Sequence, residues 1–436
     1  MATLPLLLAL LPLAHSSERV IAPPYVSLGE TYEGASATLM WHTEKGSPGQ
    51  LVVDGHPASA SADIVTRVAM PGKSPYYIHR AVIHSVSPGA RIRYSLGYGS
   101  RSYEGSFVIP KSDRQPFSFL AVGDIGRGTL GQKKLAVRLA GEKADFVTLL
   151  GDIAYPHGTA SDYRTYFFPI QNSDVSAANR GAPLLRNILT VPVLGNHDNS
   201  FRNLSRYPDG LAYYVNWSSP VNGPVMPLKI KGSPAAIEAL RKAALGNLSR
   251  IGNYSFSYGN SRWVVLDSGS HVNWGDPELR RWLSTELAKS QRATWSFVAM
   301  HAPPYHSSRT HAEDIGMRAI ADMFTRYRVD LLFTGHIHNY QRSYPMTFMN
   351  KQYTIDRNFD GKSATKADGT ICIISGGGGA ELYDVAQSDN PSTWQPFTAT
   401  LKSVHSFTRV DVRGRELILR QIDKEGRTID QIRLTK

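Results

Sequence analysis

From residue 117 onward, seven short apolar runs alternate with stretches of helical spacing: Phe117 to Val122, Phe146 to Leu150, Ile188 to Leu194, Trp263 to Leu266, Trp295 to Met300, Val329 to Thr334 and Ile371 to Ile374. Runs this short and this apolar read as strands buried on both faces, and their alternation with helices predicts an α/β core. A parallel sheet sends the carboxyl ends of its strands to one edge, where a crevice forms. Five of the runs end in polar motifs carrying Asp124, Asp152 with Tyr155, Asn196, His301, and His336 with His338. Seven side chains of metal-ligand type, scattered along the chain, are therefore expected to meet.

The helical stretches carry ordinary core signals. Asp276-Pro277 reads as an N-cap and first helical residue ahead of Leu279, Trp282, Leu283 and Leu287 on one face, and Ile315, Ile320, Met323, Phe324 and Tyr327 repeat the pattern. The stretch Asn199 to Asn253 fits the alternation poorly. It holds one plausible helix around Pro234 to Leu245 and reads as an excursion that shapes access to the crevice.

Ahead of the α/β part, short strands at Ala37 to Thr43, Gln50 to Val53, Tyr76 to His84 and Ala90 to Tyr98 predict a small all-β sandwich over residues 22–110. The polar segment Lys111 to Pro116 reads as the linker, so the second domain runs over 117–436. Leu4 to Ala14 has the length and apolarity of a secretory signal, and Ala14-His15-Ser16 offers small residues for cleavage, so residues 1–16 are expected to be removed. No later run is long enough to span a bilayer, which predicts a secreted or periplasmic protein without a transmembrane segment. The lone Cys372 cannot form an intramolecular disulfide and reads as a buried strand thiol.

Residues 1–16 carry no charge, so the net charge of +12 belongs to the mature chain. Such a field favours anions, small phosphorylated molecules among them. With no block of basic residues and no recognisable nucleic-acid module, sequence-specific nucleic-acid binding is not expected.

Taken singly, the motifs are weak, because Gly-Asp after a strand is often only a turn. His336 and His338 are stronger, since two imidazoles two residues apart after a strand reach one crevice, and imidazole is the commonest neutral metal ligand. His157 and His306 read as exposed loop histidines outside catalysis, and Gly376 to Gly379 as a tight turn near the site rather than a phosphate-binding loop.

The ordered combination is more specific. Gly-Asp-Ile-Gly at 123–126, Gly-Asp-Ile-Ala-Tyr at 151–155, Gly-Asn-His-Asp at 195–198, His301 after its strand and Gly-His-Ile-His at 335–338 together resemble the purple acid phosphatases. The β-rich N-terminal part is similar to that family's fibronectin-like domain. Tyr155 discriminates, because the wider metallophosphoesterase superfamily shares the other motifs but usually lacks this tyrosine. Asp198 departs from the plant-type pattern, where a glutamate follows the third motif's histidine.

The resemblance implies an α/β metallophosphoesterase sandwich with αββα layers, preceded by an all-β fibronectin type III-like domain. It implies a dinuclear centre with Asp124, Asp152, Tyr155 and His338 on one metal, and Asp152, Asn196, His301 and His336 on the other, Asp152 bridging. A phenolate suits iron(III), and the second set suits divalent iron, zinc or manganese. The implied activity is that of an acid phosphatase hydrolysing phosphate monoesters by direct attack of a hydroxide activated between the metals, with His197 and His311 as outer-sphere catalytic histidines. A phosphodiesterase or phytase specialisation is the nearest alternative. A metal-bearing envelope-binding protein with vestigial hydrolysis is the alternative from another class, and the complete ligand set argues against it.

Overall fold

The computed structural model describes residues 19–30, 36–57, 64–70, 73–84, 87–349 and 352–436. The expected signal segment, residues 1–16, lies outside them. Among the described residues no helix is long and apolar enough to cross a membrane.

Strand Phe117–Val122 illustrates how the sequence builds the layers. Its side chains alternate, so Phe117, Phe119 and Ala121 enter one core while Leu120 and Val122 enter another. The first core lies between two large sheets, where Phe119 meets Trp263 and Phe333 of the opposite sheet at ring separations of 4.9 and 5.5 Å. On the outer side, Leu135 and Leu139 of helix Leu130–Gly141 cover Leu120 and Val122. Helix Pro277–Ser290 covers the second sheet through Leu279, Leu283 and Leu287, and Asp276 caps it by accepting from the Glu278 and Leu279 amides. Helices outside two facing sheets make the αββα arrangement expected from the sequence. The apolar stretch from Ile315 is less regular than expected, dividing into a 3-10 turn at Gly316–Ile320 and a helix at Ala321–Arg326.

One sheet has seven strands. Ser261–Leu266, Trp295–Met300, Leu331–Thr334 and Ile371–Ser375 run parallel at its centre. The other has ten, with Phe117–Val122, Phe146–Leu149 and Leu189–Pro192 parallel to one another. This sheet continues into the N-terminal region. Val20–Ser27 pairs parallel with Leu189–Pro192, placing Val26 opposite Leu189, and then antiparallel with Ser36–Thr43. Without Val20–Ser27, the Leu189–Pro192 strand would present an open edge of unpaired amides and carbonyls.

The N-terminal region is β-rich, as expected. Its strands Val20–Ser27, Ser36–Thr43, Lys73–His84 and Ile64–Met70 form one layer, and His56–Pro57, Gln50–Val53, Arg91–Tyr98 and Arg101–Val108 the other. Buried contacts tie it to the excursion. Tyr25 Oη donates to the Asn216 carbonyl at 2.7 Å, and Arg80 donates to the Val215 carbonyl at 2.8 Å. The excursion carries helix Pro234–Ala243, where a helix was expected.

Cys372 is buried in its strand, and burial pushes its thiol up to about 12, as befits an inert core residue. Asn203, Asn216, Asn247 and Asn253 each open an Asn-X-Ser glycosylation-type pattern in the excursion, and of these Asn216 and Asn253 are buried. Neither is accessible to modification in the folded chain.

Candidate metal centre

The carboxyl ends of the parallel strands bring the seven expected residues to one place. Asp124 follows Phe117–Val122, Asp152 follows Phe146–Leu149, and Asn196 follows Leu189–Pro192 at the first turn of the short helix Asn196–Asn199. His301 follows Trp295–Met300, and His336 and His338 follow Leu331–Thr334. Two strands come from one sheet's parallel centre and three from the other's, so the crevice lies where the two sheets meet.

The backbone is bent sharply to deliver these groups. Asp124, Asp152 and His336 all occupy the left-handed region, with φ of 60°, 49° and 68°. Non-glycine residues rarely sit there, and such positions cluster at functional sites. Gly195 allows close packing behind the centre, because a Cβ on it would lie 2.0 Å from the Asp152 amide nitrogen. Gly376 to Gly379 form the tight turn expected near the site: the Gly378 amide donates to the Gly123 carbonyl, and a Cβ on Gly376 would lie 2.8 Å from Asp124 Oδ2.

The side chains divide into two overlapping groups. Tyr155 Oη donates to Asp124 Oδ1 at 3.0 Å and lies 3.1 Å from His338 Nε2. Asn196 Oδ1 lies 2.9 Å from His301 Nε2 and 3.1 Å from His336 Nδ1. Asp152 stands at the second group, its Oδ1 3.4 Å from His301 Nε2. Asp124, Asp152 and His301 present ligand atoms all within 4.8 Å of one another, and could hold a metal ion.

Neighbouring groups decide which imidazole nitrogen each histidine turns inward. His301 Nδ1 donates to the Leu150 carbonyl at 2.8 Å, and His338 Nδ1 to the Glu381 carbonyl at 2.7 Å, which leaves Nε2 of both for the crevice. His336 is reversed: its Nε2 donates to Asp314 Oδ2 at 2.8 Å, and its Nδ1 faces Asn196. Outer partners of this kind orient metal ligands and raise their basicity.

The electrostatics suit a cation. Burial raises Asp152, but His301, His197 and His336 around it outweigh that and hold the carboxyl well below the usual range. Burial opposes charge on His301, yet Asp152, with Asp124 behind it, lifts the imidazole to about 10. Burial and the same two carboxylates push the Tyr155 phenol well above its ordinary value. The donor set therefore holds protons where a cation would replace them.

The two outer histidines are both partly exposed and are held by different partners. His197 Nδ1 donates to the Pro156 carbonyl at 2.6 Å, and its Nε2 lies 3.9 Å from Asp152 Oδ2. His311 donates from Nδ1 to Asp314 Oδ2 at 2.9 Å, and its ring lies 4.6 Å from that of His336. His306 is buried rather than exposed as its loop position suggested, and burial first and His336 second lower it to about 4.

Two contributors escaped the sequence reading, and a third, Asp198, stood out there only as a departure from the family pattern. Asp314 joins His311 and His336 through a single oxygen, and its only linear signal is a spacing of three residues from His311. Tyr383 stacks on His338 at 3.9 Å and 11°, from a loop with no motif. Asp198 is buried and accepts from the Ile153 and Gly195 amides, joining two ligand loops. The departure from glutamate at that position thus keeps a carboxylate behind the centre.

The model of the calcineurin-like phosphoesterase family matches residues 117–340. Purple acid phosphatase 23 of Arabidopsis thaliana is 26% identical over 345 residues, covering 72% of this chain and 65% of the relative. The phosphoenolpyruvate phosphatase of Allium cepa is 25% identical over 352 residues, covering 78% and 64%. The chain thus spans just under two thirds of the length of these two relatives. The structure of purple acid phosphatase PPD1 from yellow lupin (Lupinus luteus) seeds superposes with a TM-score of 0.66 at 18% identity, covering 94% of this chain and 74% of that one, which is a likeness of fold.

Proposed function

Because this chain belongs to the calcineurin-like phosphoesterases, a family built around a dinuclear metal centre, we propose that it is a secreted acid phosphatase of the purple acid phosphatase type acting on phosphate monoesters. Asp124, Asp152, Tyr155 and His338 would hold iron(III), and Asp152, Asn196, His301 and His336 a divalent iron, zinc or manganese ion, with Asp152 shared. The N-terminal strands, ordered as in immunoglobulin-like sandwiches, support a fibronectin type III-like reading of that region.

The observation that carries the proposal is the position of Tyr155. Its hydroxyl lies between an acidic and an imidazole donor, 3.0 Å from Asp124 Oδ1 and 3.1 Å from His338 Nε2, at the heart of the cluster. A phenol is a hard donor, suited to a trivalent ion. When bound, a pair of metal ions lowers the pKa of water and neutralises charge on a phosphoryl group.

The chain's own residues supply the rest. With Nδ1 tied to Pro156, His197 turns Nε2 toward Asp152 at the crevice, positioned to donate to a phosphoryl oxygen. His311, with Nδ1 tied to Asp314, keeps Nε2 for a proton delivered to the departing alkoxide. Attack of water on phosphorus, with no covalent phosphoenzyme, uses no protein nucleophile.

Metal analysis, a visible spectrum and aryl phosphate hydrolysis test the reading together. The expected result is two metals per chain and an absorption band that Tyr155→Phe abolishes, with hydrolysis that Asp152→Ala removes along with bound metal. Full activity in Asp152→Ala would refute the assigned site.

A further inference from the structure

Beside the metal centre, a cleft of about 540 Å³ opens within the excursion. Arg202, Arg206, Lys229 and Lys231 line it, and no acidic residue does. Among the described residues none of the four pairs with a carboxylate, and the Arg206 guanidinium lies over the Tyr207 ring at 5.4 Å. Four like charges gathered without counter-charge repel one another, and such a field concentrates anions.

The cleft is built by paired backbone. The Lys231 amide donates to the Arg202 carbonyl at 2.9 Å, and the Leu204 amide to the Lys231 carbonyl at 2.7 Å. These bonds hold the two basic segments side by side. Extended backbone turns residues two apart to one side, which accounts for Lys229 and Lys231 sharing the cleft.

Aromatic rings join it to the metal centre. Tyr155 lies 4.6 Å from His197, His197 lies 6.3 Å from Phe201, and Phe201 lies 5.0 Å from Tyr207, the last two being walls of the cleft. His157 fills the angle between Phe201 and Tyr207, at 4.3 and 4.8 Å. The Ser200 amide donates to the Asn196 carbonyl, so the cleft begins one helical turn from a proposed ligand, on the order of 6 Å away.

We propose that this cleft receives a second phosphoryl group of the substrate, so that the protein prefers small molecules bearing two or more phosphoryl groups. The proposal rests on the phosphatase reading and deepens it. One phosphoryl group lies at the metal centre while another is held by Arg202, Arg206, Lys229 and Lys231. Hydrolysis breaks the P–O ester bond of the first and forms a P–O bond to water. One proton goes to the departing alkoxide, and the alcohol leaves with its second phosphoryl group intact.

Matched substrates test this in the metal-loaded full chain: butane-1,4-diol bisphosphate against the monophosphate, and adenosine 3′,5′-bisphosphate against adenosine 5′-phosphate. The expected result is a kcat/KM ratio favouring the bisphosphate by about tenfold or more in at least one pair, since charged hydrogen bonds carry that much discrimination. The favoured pair distinguishes a flexible scaffold from an aromatic one. In Arg206→Ala/Lys229→Ala/Lys231→Ala the ratio should fall to about one, and in the wild type it should shrink with added salt. A wild-type ratio near one in both pairs, or a ratio untouched by the triple substitution, overturns the proposal. If the wild type hydrolyses none of these esters, the phosphatase reading itself fails. Binding then decides the cleft: inorganic tripolyphosphate should bind Asp152→Ala protein, and the triple substitution should raise its Kd at least about tenfold. An equal Kd overturns the cleft assignment independently of catalysis.

Discussion

Replacing Asp314 by asparagine separates metal-ligand orientation from folding. One oxygen of Asp314 accepts from His336 Nε2 at 2.8 Å and from His311 Nδ1 at 2.9 Å. The His336 hydrogen bond, with His311 beside it, holds the Asp314 carboxyl down to about 2, so it is ionised at any working pH. Its side chain is 47% exposed, and water screens the interaction. The folding cost of Asp314→Asn should therefore stay below about 1 kcal/mol. The cost to the metal centre is expected to be larger, because the outer partner of a metal-ligating imidazole typically contributes 10- to 100-fold in affinity or activity, or about 1.4–2.8 kcal/mol. Chelator competition should show weakened binding of the metal held by His336, with kcat restored by excess metal and a nearly unchanged melting temperature. The double variant Asp314→Asn/His311→Ala should lose less than the sum of the two single variants, because both act through one oxygen. Unchanged metal affinity and kcat/KM in Asp314→Asn would refute the idea that this carboxylate orients His336. A large fall in melting temperature without loss of affinity would make it merely structural.

Gly195→Ala adds a methyl 2.0 Å from the Asp152 amide nitrogen and 2.2 Å from its Oδ1, at a φ of −98° that alanine accepts, so its effect is steric. Activity should fall by about 100-fold, as expected for a reacting group misplaced by about 1 Å, and elemental analysis should find less metal; full metal content and activity would contradict this geometry. His79 is lowered to about 4, by burial first and Arg80 second, so the fold holds it neutral. Its stabilising contribution is complete above about pH 6.5 and is lost as pH falls toward 4, where the unfolded chain binds the extra proton. The melting temperature should drop across that window by less in His79→Gln than in the wild type, and an equal drop would show that His79 does not contribute. Metal loading of the apo protein should release protons from His301 and Tyr155, read as acidification of a weakly buffered solution, and affinity should rise with pH. Loading without proton release would remove these two groups from the ligand set.

The sequence by itself determined the alternating strands and helices and which side chains would meet at one edge. Each apolar run had to be a buried strand, and each motif at a carboxyl end had to reach the shared edge, so Asp124, Asp152, Tyr155, Asn196, His301, His336 and His338 were legible as a set in the sequence. The alternation gave an α/β core, and the αββα layering came from the resemblance those motifs carry. The tertiary structure decided what depends on groups distant in sequence. Val20–Ser27 completes a sheet whose neighbouring strand lies at Leu189–Pro192, a pairing set by a free edge that no local pattern encodes. Carbonyls at Leu150 and Glu381 and the carboxylate at Asp314 choose which nitrogen each candidate ligand histidine turns into the crevice. The basic cleft arises the same way: Arg202 and Arg206 lie far along the chain from Lys229 and Lys231, and only backbone bonds across the excursion bring their charges together. Burial patterns are short-ranged and repeat along a strand or helix, so they can be read from sequence. Electrostatic partnerships join loops by proximity alone, and proximity exists only once the chain has folded.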